Sequence, residues 1–365
     1  MSDGGHSWWW PHSRDRAWRA PEWSREAQRF HRALADYTVT PLVELPSLAE
    51  AWQVGAVVAK DESARLGLPA FKGLGASWAL HRVLQRARPI QHAHDSLPDV
   101  VTFVTATDGN HGRAVAHFAA MWGHRALVFI PEGVHSRAVD AIRDEGAEVR
   151  LVHDDYDSAV AAAAAACDQP NHLLVQDTAW GDFTEVPHWI VEGYSTLFAE
   201  LDDQCRAILH APVGLVMLPV GVGSLAQAAV GHYRAEDGPA LVTVEPDSAA
   251  CALASLRAGR SIRVSTGTTI MTGLNCGTLS ESAWPWLQRG IDGAVIVTDD
   301  QVRRALPLLQ DLGLSTGPCG AAGLVAMQQL LTGDGASQRR AHLGIGADTV
   351  VAFLITEGAD ANPNL

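Results

Sequence analysis

The chain has 365 residues, 47% hydrophobic and 19% charged, which allows one large or two ordinary domains with a real core and excludes a disordered chain. A net charge of −14 argues against a nucleic-acid or anionic-membrane surface. No apolar run reaches the length of a membrane span; the longest candidate, residues 159–167, is short and mostly alanine.

In chain order, residues 1–29 form an arm rich in tryptophan (Trp8, Trp9, Trp10, Trp18 and Trp23) that cannot be a core by itself. It reads either as a weakly ordered terminus or as a segment packed on the body, on a partner or over a site entrance. It shows no secretory signal pattern. From Val57 onward, strand-like and helix-like stretches alternate. Strands are predicted at 56–60, 100–105, 126–130, 148–152, 172–175, 213–219, 240–245, 293–298 and 349–355, apolar at consecutive positions as in strands buried on both faces. Helices are predicted at 72–86, 111–122, 136–145, 156–166, 186–201, 223–235, 248–258, 299–312 and 319–331. This alternation predicts an α/β architecture of open, mostly parallel sheets flanked by helices. The domain break is placed near residues 181–187, with a crossover near Ser77. That gives a large domain of residues 30–76 and 187–365 and a small one of residues 77–186.

Cysteine and histidine carry little. The five cysteines (167, 205, 251, 276 and 319) form no CxxC pair and are odd in number, which fits a reducing cytoplasm better than a zinc site or a disulfide framework. Cys251 and Cys276 lie near site loops and read as unpaired structural thiols. The sixteen histidines include no HExxH, and His92 and His94 sit in a loop-like stretch, so no metal site is expected.

Chemistry concentrates in five segments. Lys72, preceded by Phe71 and followed by Gly73, Gly75 and Ala76, sits where a strand-like run gives way to a helix. A lysine there can reach a carbonyl ligand unhindered, as a Schiff-base lysine must. Thr107, Asp108, Gly109 and His111 form a turn between a strand and a helix, whose amides suit a substrate carboxylate. Asp108 opposes an anion there and reads as a helix cap or as a carboxylate kept for proton transfer. Asp177 follows the strand at 172–175, at the end where open α/β sheets place ligands. Gly221-Val222-Gly223-Ser224 makes a glycine-rich turn after the strand at 213–219. With Glu245 closing the next strand, it satisfies a loose dinucleotide fingerprint and equally suits a single phosphate. Thr356-Glu357-Gly358 ends the final strand, where a hydroxyl or carboxylate can face a ring nitrogen.

In this order, the segments TPLVEL (Thr40–Leu45), KDESARLGLPAFK (Lys60–Lys72), TATDGNHGRAVA (Thr105–Ala116), QDTAW (Gln176–Trp180), PVGVGS (Pro219–Ser224), VEP (Val244–Pro246), GLNCG (Gly273–Gly277) and TEG (Thr356–Gly358) resemble the fold-type II pyridoxal-phosphate enzymes, the tryptophan synthase β-like superfamily. Within it the chain is most similar to the diaminopropionate ammonia-lyase branch. The resemblance covers about residues 30–363. It implies pyridoxal 5'-phosphate as cofactor, a Schiff base on Lys72, a phosphate cradle at Gly221, Val222, Gly223 and Ser224, a bond from Asn110 to the cofactor's phenolic oxygen, and Thr356 near the pyridine nitrogen. Asp108 and Asp177 become acid/base groups serving opposite faces of the substrate, so that both D- and L-isomers react. The implied reaction is elimination of ammonia from 2,3-diaminopropionate, giving pyruvate and ammonia, by a cytoplasmic homodimer.

The chain departs from that pattern at Gly181-Asp182-Phe183, at Gly317-Pro318-Cys319-Gly320 and in the tail after Gly358. Three alternatives remain: a related lyase or β-replacement enzyme acting on another β-substituted amino acid, an NAD-dependent oxidoreductase built on GVGSLA and Glu245, and a binding module without turnover.

Overall fold

A computed structural model describes residues 8–87, 100–107, 109–154 and 156–361. Among these residues the strands are β1 (Trp9–Pro11), β2 (Leu42–Glu44), β3 (Ala56–Asp61), β4 (Thr102–Ala106), β5 (Arg125–Pro131), β6 (Glu148–Val152), β7 (His172–Leu174), β8 (Val213–Pro219), β9 (Ala240–Pro246), β10 (Gly293–Val297) and β11 (Val350–Ile355). They form a seven-stranded sheet in the order β1-β10-β9-β8-β11-β3-β2 and a four-stranded sheet in the order β6-β5-β4-β7. The small sheet is wholly parallel. In the large one only the edge strands β1 and β2 run antiparallel.

The central strands are apolar on both faces because helices cover both. Along β11, Val351, Phe353 and Ile355 join one core while Val350, Ala352 and Leu354 join the other. Leu215 and Met217 of β8 alternate with Val216 and Leu218 in the same way. The helix Pro318–Leu331 packs into the first of these cores; Lys72–Ala87, Glu185–Gln204 and Ser224–Tyr233 pack into the second.

Two features set where Lys72 sits. The helix it begins lies very close to Glu185–Gln204, since a Cβ on Gly75 would come 2.5 Å from Tyr194 Cε1, and one on Gly193 would come 2.6 Å from the Leu74 carbonyl. Beneath the loop that leads to it lies a buried electroneutral quartet: Lys60, Glu62, Arg65 and Glu200. Lys60 Nζ donates to Thr40 O, Glu200 Oε2 and Gln204 Oε1 at 2.7–2.8 Å. Arg65 meets Glu62 and Glu200 through both terminal nitrogens and Nε. Lys60, Glu62 and Arg65 of KDESAR are therefore foundations of that loop.

From Trp8 onward the arm packs on the body. Trp9 pairs with Val295, and Trp23 donates Nε1 to the Ala228 carbonyl at 3.0 Å and stacks on Trp286. Among the described residues no helix is long and apolar enough to cross a membrane, and no cluster of His, Cys, Asp and Glu is suited to a metal ion. His92 and His94 lie outside the described residues.

Candidate active site

The C-terminal ends of β3, β8 and β11 point the same way, as parallel pairing requires, so the segments that follow them meet. The pairing continues past the sheet. Ala70 bridges Glu357 in antiparallel fashion, Phe71 N–H donates to Thr356 O at 3.2 Å, and Gly358 N–H donates to Pro69 O at 2.9 Å. Those bonds hold the first turn of the Lys72 helix against Thr356. The small sheet faces this region across a cavity of about 1080 Å³ whose wall includes Lys72, Thr107, Asn110, His111, Asp177, Gly221, Ser224 and Thr356.

Lys72 Nζ donates to Asp177 Oδ2 at 2.8 Å, and lies 5.4 Å and 5.8 Å from the ring centres of Phe71 and Tyr194. Burial alone would push the Asp177 carboxyl up. Lys72, through its charge and its hydrogen bond, overcomes it and holds Asp177 at about 2. Asp177 is carried on a loop fixed at several points. Gln176 Oε1 accepts from Ala106 N–H at 2.8 Å, and Ser224 Oγ donates to the Asp177 carbonyl at 3.1 Å. Ser280 joins this loop to the glycine turn, taking Ala179 N–H on its hydroxyl and giving its own N–H to Val222 O.

The turn before the helix Asn110–Met121 is closed by Thr107, whose Oγ1 accepts from Gly109 and Gly112 N–H at 3.0 Å and 3.1 Å. His111 Nε2 faces the Val175 carbonyl at 2.9 Å, and a carbonyl only accepts, so the proton is on Nε2. Burial lowers the pKa of this imidazole and keeps it neutral. Asn110 Nδ2 donates to Glu357 Oε2 at 2.8 Å. Asp108 lies outside the described residues.

After β8, Gly223 takes φ +95° at the residue before the helix Ser224–Tyr233, a conformation that favours glycine. At Gly221 a Cβ would lie 2.7 Å from Gly273 O and 3.2 Å from Cys276 Sγ, so only glycine lets these strands of backbone approach. Glu245 is fully buried and accepts from Ala252 and Leu253 N–H at 2.6 Å and 2.8 Å, capping the helix Cys251–Ala258. Its carboxylate is turned into that helix and is unavailable to a ribose, which removes the dinucleotide reading. Sequence reasoning assigned no role to Ser280 or Tyr194. Nothing in their local sequence marks them, because their positions arise only when the two sheets meet.

The residues present fit a pyridoxal phosphate. There is an amine on the wall, a glycine turn at a helix N-terminus for a phosphate, and at Thr356 a buried hydroxyl that has no hydrogen-bond partner among the described residues. These are the groups that a two-sheet enzyme working through a Schiff-base cofactor requires. The chain belongs to the pyridoxal-phosphate dependent enzyme family, whose model matches residues 34–354. It is 33% identical to the diaminopropionate ammonia-lyase of Escherichia coli K12 over 91% of this chain and 87% of that one. It is 34% identical to the diaminopropionate ammonia-lyase of Salmonella typhimurium LT2, covering 93% and 90%. The crystal structure of the E. coli lyase in complex with an aminoacrylate-PLP azomethine reaction intermediate superposes with a TM-score of 0.87 at 31% identity, covering 96% of this chain and 94% of that one.

Proposed function

We propose that this protein eliminates ammonia from 2,3-diaminopropionate and releases pyruvate and ammonia. The observation that carries the reading is the Lys72–Asp177 pair on the wall of a cavity that a glycine turn and the orphaned hydroxyl of Thr356 also line. The extended likeness to enzymes that carry this name supports the substrate.

Pyridoxal phosphate, when bound, supplies the electron withdrawal that acidifies the Cα–H of an amino acid. Lys72 would hold it covalently, Gly221, Val222, Gly223 and Ser224 would hold its phosphate, Asn110 its phenolic oxygen, and Thr356 its ring nitrogen. A neutral Thr356 hydroxyl can donate to an unprotonated nitrogen and has no charge with which to keep one protonated. Asp177 acts as acid/base group. While it faces a charged Lys72 it stays ionised; once that amine is neutral, burial acts with less opposition and moves the carboxyl toward the range where it both takes and returns a proton. Asp108 is assigned the same task on the other face of the substrate, so that both enantiomers react. Thr107, Gly109 and His111 flank the substrate carboxylate, the neutral His111 adding no charge of its own there. Residues 30–76 and 187–365 form the cofactor-holding domain and residues 77–186 the domain that carries Asn110 and Asp177; the active species is a cytoplasmic homodimer.

The deciding experiment incubates the pure protein with both enantiomers of 2,3-diaminopropionate and with D- and L-serine, and measures pyruvate and ammonia. Pyruvate from both diaminopropionate enantiomers is expected. Turnover of serine with none of diaminopropionate would overturn the substrate assignment.

A further inference from the structure

From the contacts around Asn110 we infer that Glu357 is a positioning residue: it fixes which end of the Asn110 amide faces the cofactor's ring oxygen. The inference rests on the cofactor and on the assignment of Asn110, and is independent of the substrate.

An asparagine side chain is ambivalent, since rotation about its last bond exchanges a carbonyl acceptor for an amide donor. The ionised ring oxygen needs the donor. Glu357 is 3% exposed and stands beside Asn110 with Oε2 at 2.8 Å from Nδ2. A carboxylate can only accept, so the nitrogen must be the end that points at it. That nitrogen has a second hydrogen, and the ring oxygen can take it. The carboxylate has little freedom to turn. Its Oε1 accepts Cys319 N–H at 3.2 Å in the first turn of the helix Pro318–Leu331, where the dipole favours negative charge. Its backbone carbonyl accepts from Gly317 N–H and Thr316 Oγ1, each at 3.1 Å. A Cβ on Gly317 would lie 2.7 Å from Oε1, so the residue before Pro318 must be this small. Asn110 comes from the small-sheet side and Glu357 from the end of β11, so the bond also spans the cleft.

The test reads the absorption of the cofactor-loaded protein with no amino acid added. A visible band reports the ionised ring oxygen and a near-ultraviolet band the protonated one. Glu357→Gln keeps the volume but can donate as well as accept, so Asn110 is no longer held one way. The expected result is a shift of the visible-to-ultraviolet ratio by about tenfold, the scale of one hydrogen bond to a charged group. Asn110→Ala should shift it likewise, and the double variant no further. A Glu357→Gln ratio equal to the parent's across the neutral pH range overturns the inference, as does full additivity with Asn110→Ala. If Glu357→Gln fails to fold, Asn110→Ala decides, since an unchanged ratio there overturns it. Failure of the diaminopropionate assay would leave this spectrum as it is, so the two readings fall separately.

Discussion

Replacing Glu200 with Gln tests whether the loop that presents Lys72 is held up by buried charge. Glu200 accepts from Lys60 Nζ at 2.7 Å, from Arg65 at 2.7 Å and 2.8 Å, and from the Tyr37 hydroxyl at 2.7 Å. Its carboxyl is held at about 2, because burial, which would raise it, is outweighed by Arg65 and then Lys60. Gln would keep the shape, turn an amide N–H₂ toward two cations and leave Glu62 alone to balance Lys60 and Arg65. An uncompensated charge in a buried site costs about 3–5 kcal/mol. The assay is urea unfolding followed by tryptophan fluorescence at neutral pH, where the midpoint should fall with the slope unchanged. Adding Lys60→Met to Glu200→Gln restores neutrality and should recover part of the loss. An unchanged midpoint for Glu200→Gln, or a double variant no more stable than the single one, would refute the charge argument.

Gly75→Ala should lower the melting temperature, by a cost on the order of 1–3 kcal/mol, since its Cβ would meet Tyr194 at 2.5 Å and Ile190 at 2.8 Å; unaltered melting would mean the helices part freely. In the cofactor-free protein, Asp177 at about 2 against an ordinary 3.8 contributes ~2.4 kcal/mol. Because the folded value is depressed, that stability is present above pH 3.8 and is lost as pH falls toward about 2. Asp177→Asn should therefore be less stable at neutral pH and show a flatter acid limb in melts across that window; superimposable acid profiles would contradict it. Lys72→Ala should lose both the visible absorption of the loaded protein and pyruvate formation, and a fully active variant would sink the whole assignment.

The nine predicted strands each correspond to an observed one, because strands buried on both faces announce themselves as apolar runs. The two strands that sequence did not reveal, β1 and β2, are three residues long and lie at the sheet edges, where one pairing partner and a half-exposed surface leave no pattern to read. The helix Pro46–Trp52 was hidden by its length and by a proline that opens it, and Ala336–Leu343 by its weakly patterned polar sequence. In the site, Lys72, Asn110 and Asp177 stood out because each sits at the junction of predicted elements. Glu357 stood out less. The sequence offers its segment only as a strand end where a hydroxyl or carboxylate can face a ring nitrogen, and it takes the bridge from Ala70 and the bond to Asn110 to give it a particular task.

The position of β11 has a consequence for assembly. It lies between β8 and β3, so residues 350–355 are the wedge that joins residues 56–61 to the rest of the large sheet. On a ribosome, the small sheet, complete by residue 174, can form from contiguous chain. The large sheet must wait, with β3 holding one edge open, until residues 350–355 have been made. Lys72 begins the helix that comes after that waiting strand, so the cavity wall it belongs to is completed only after the small sheet can already have formed.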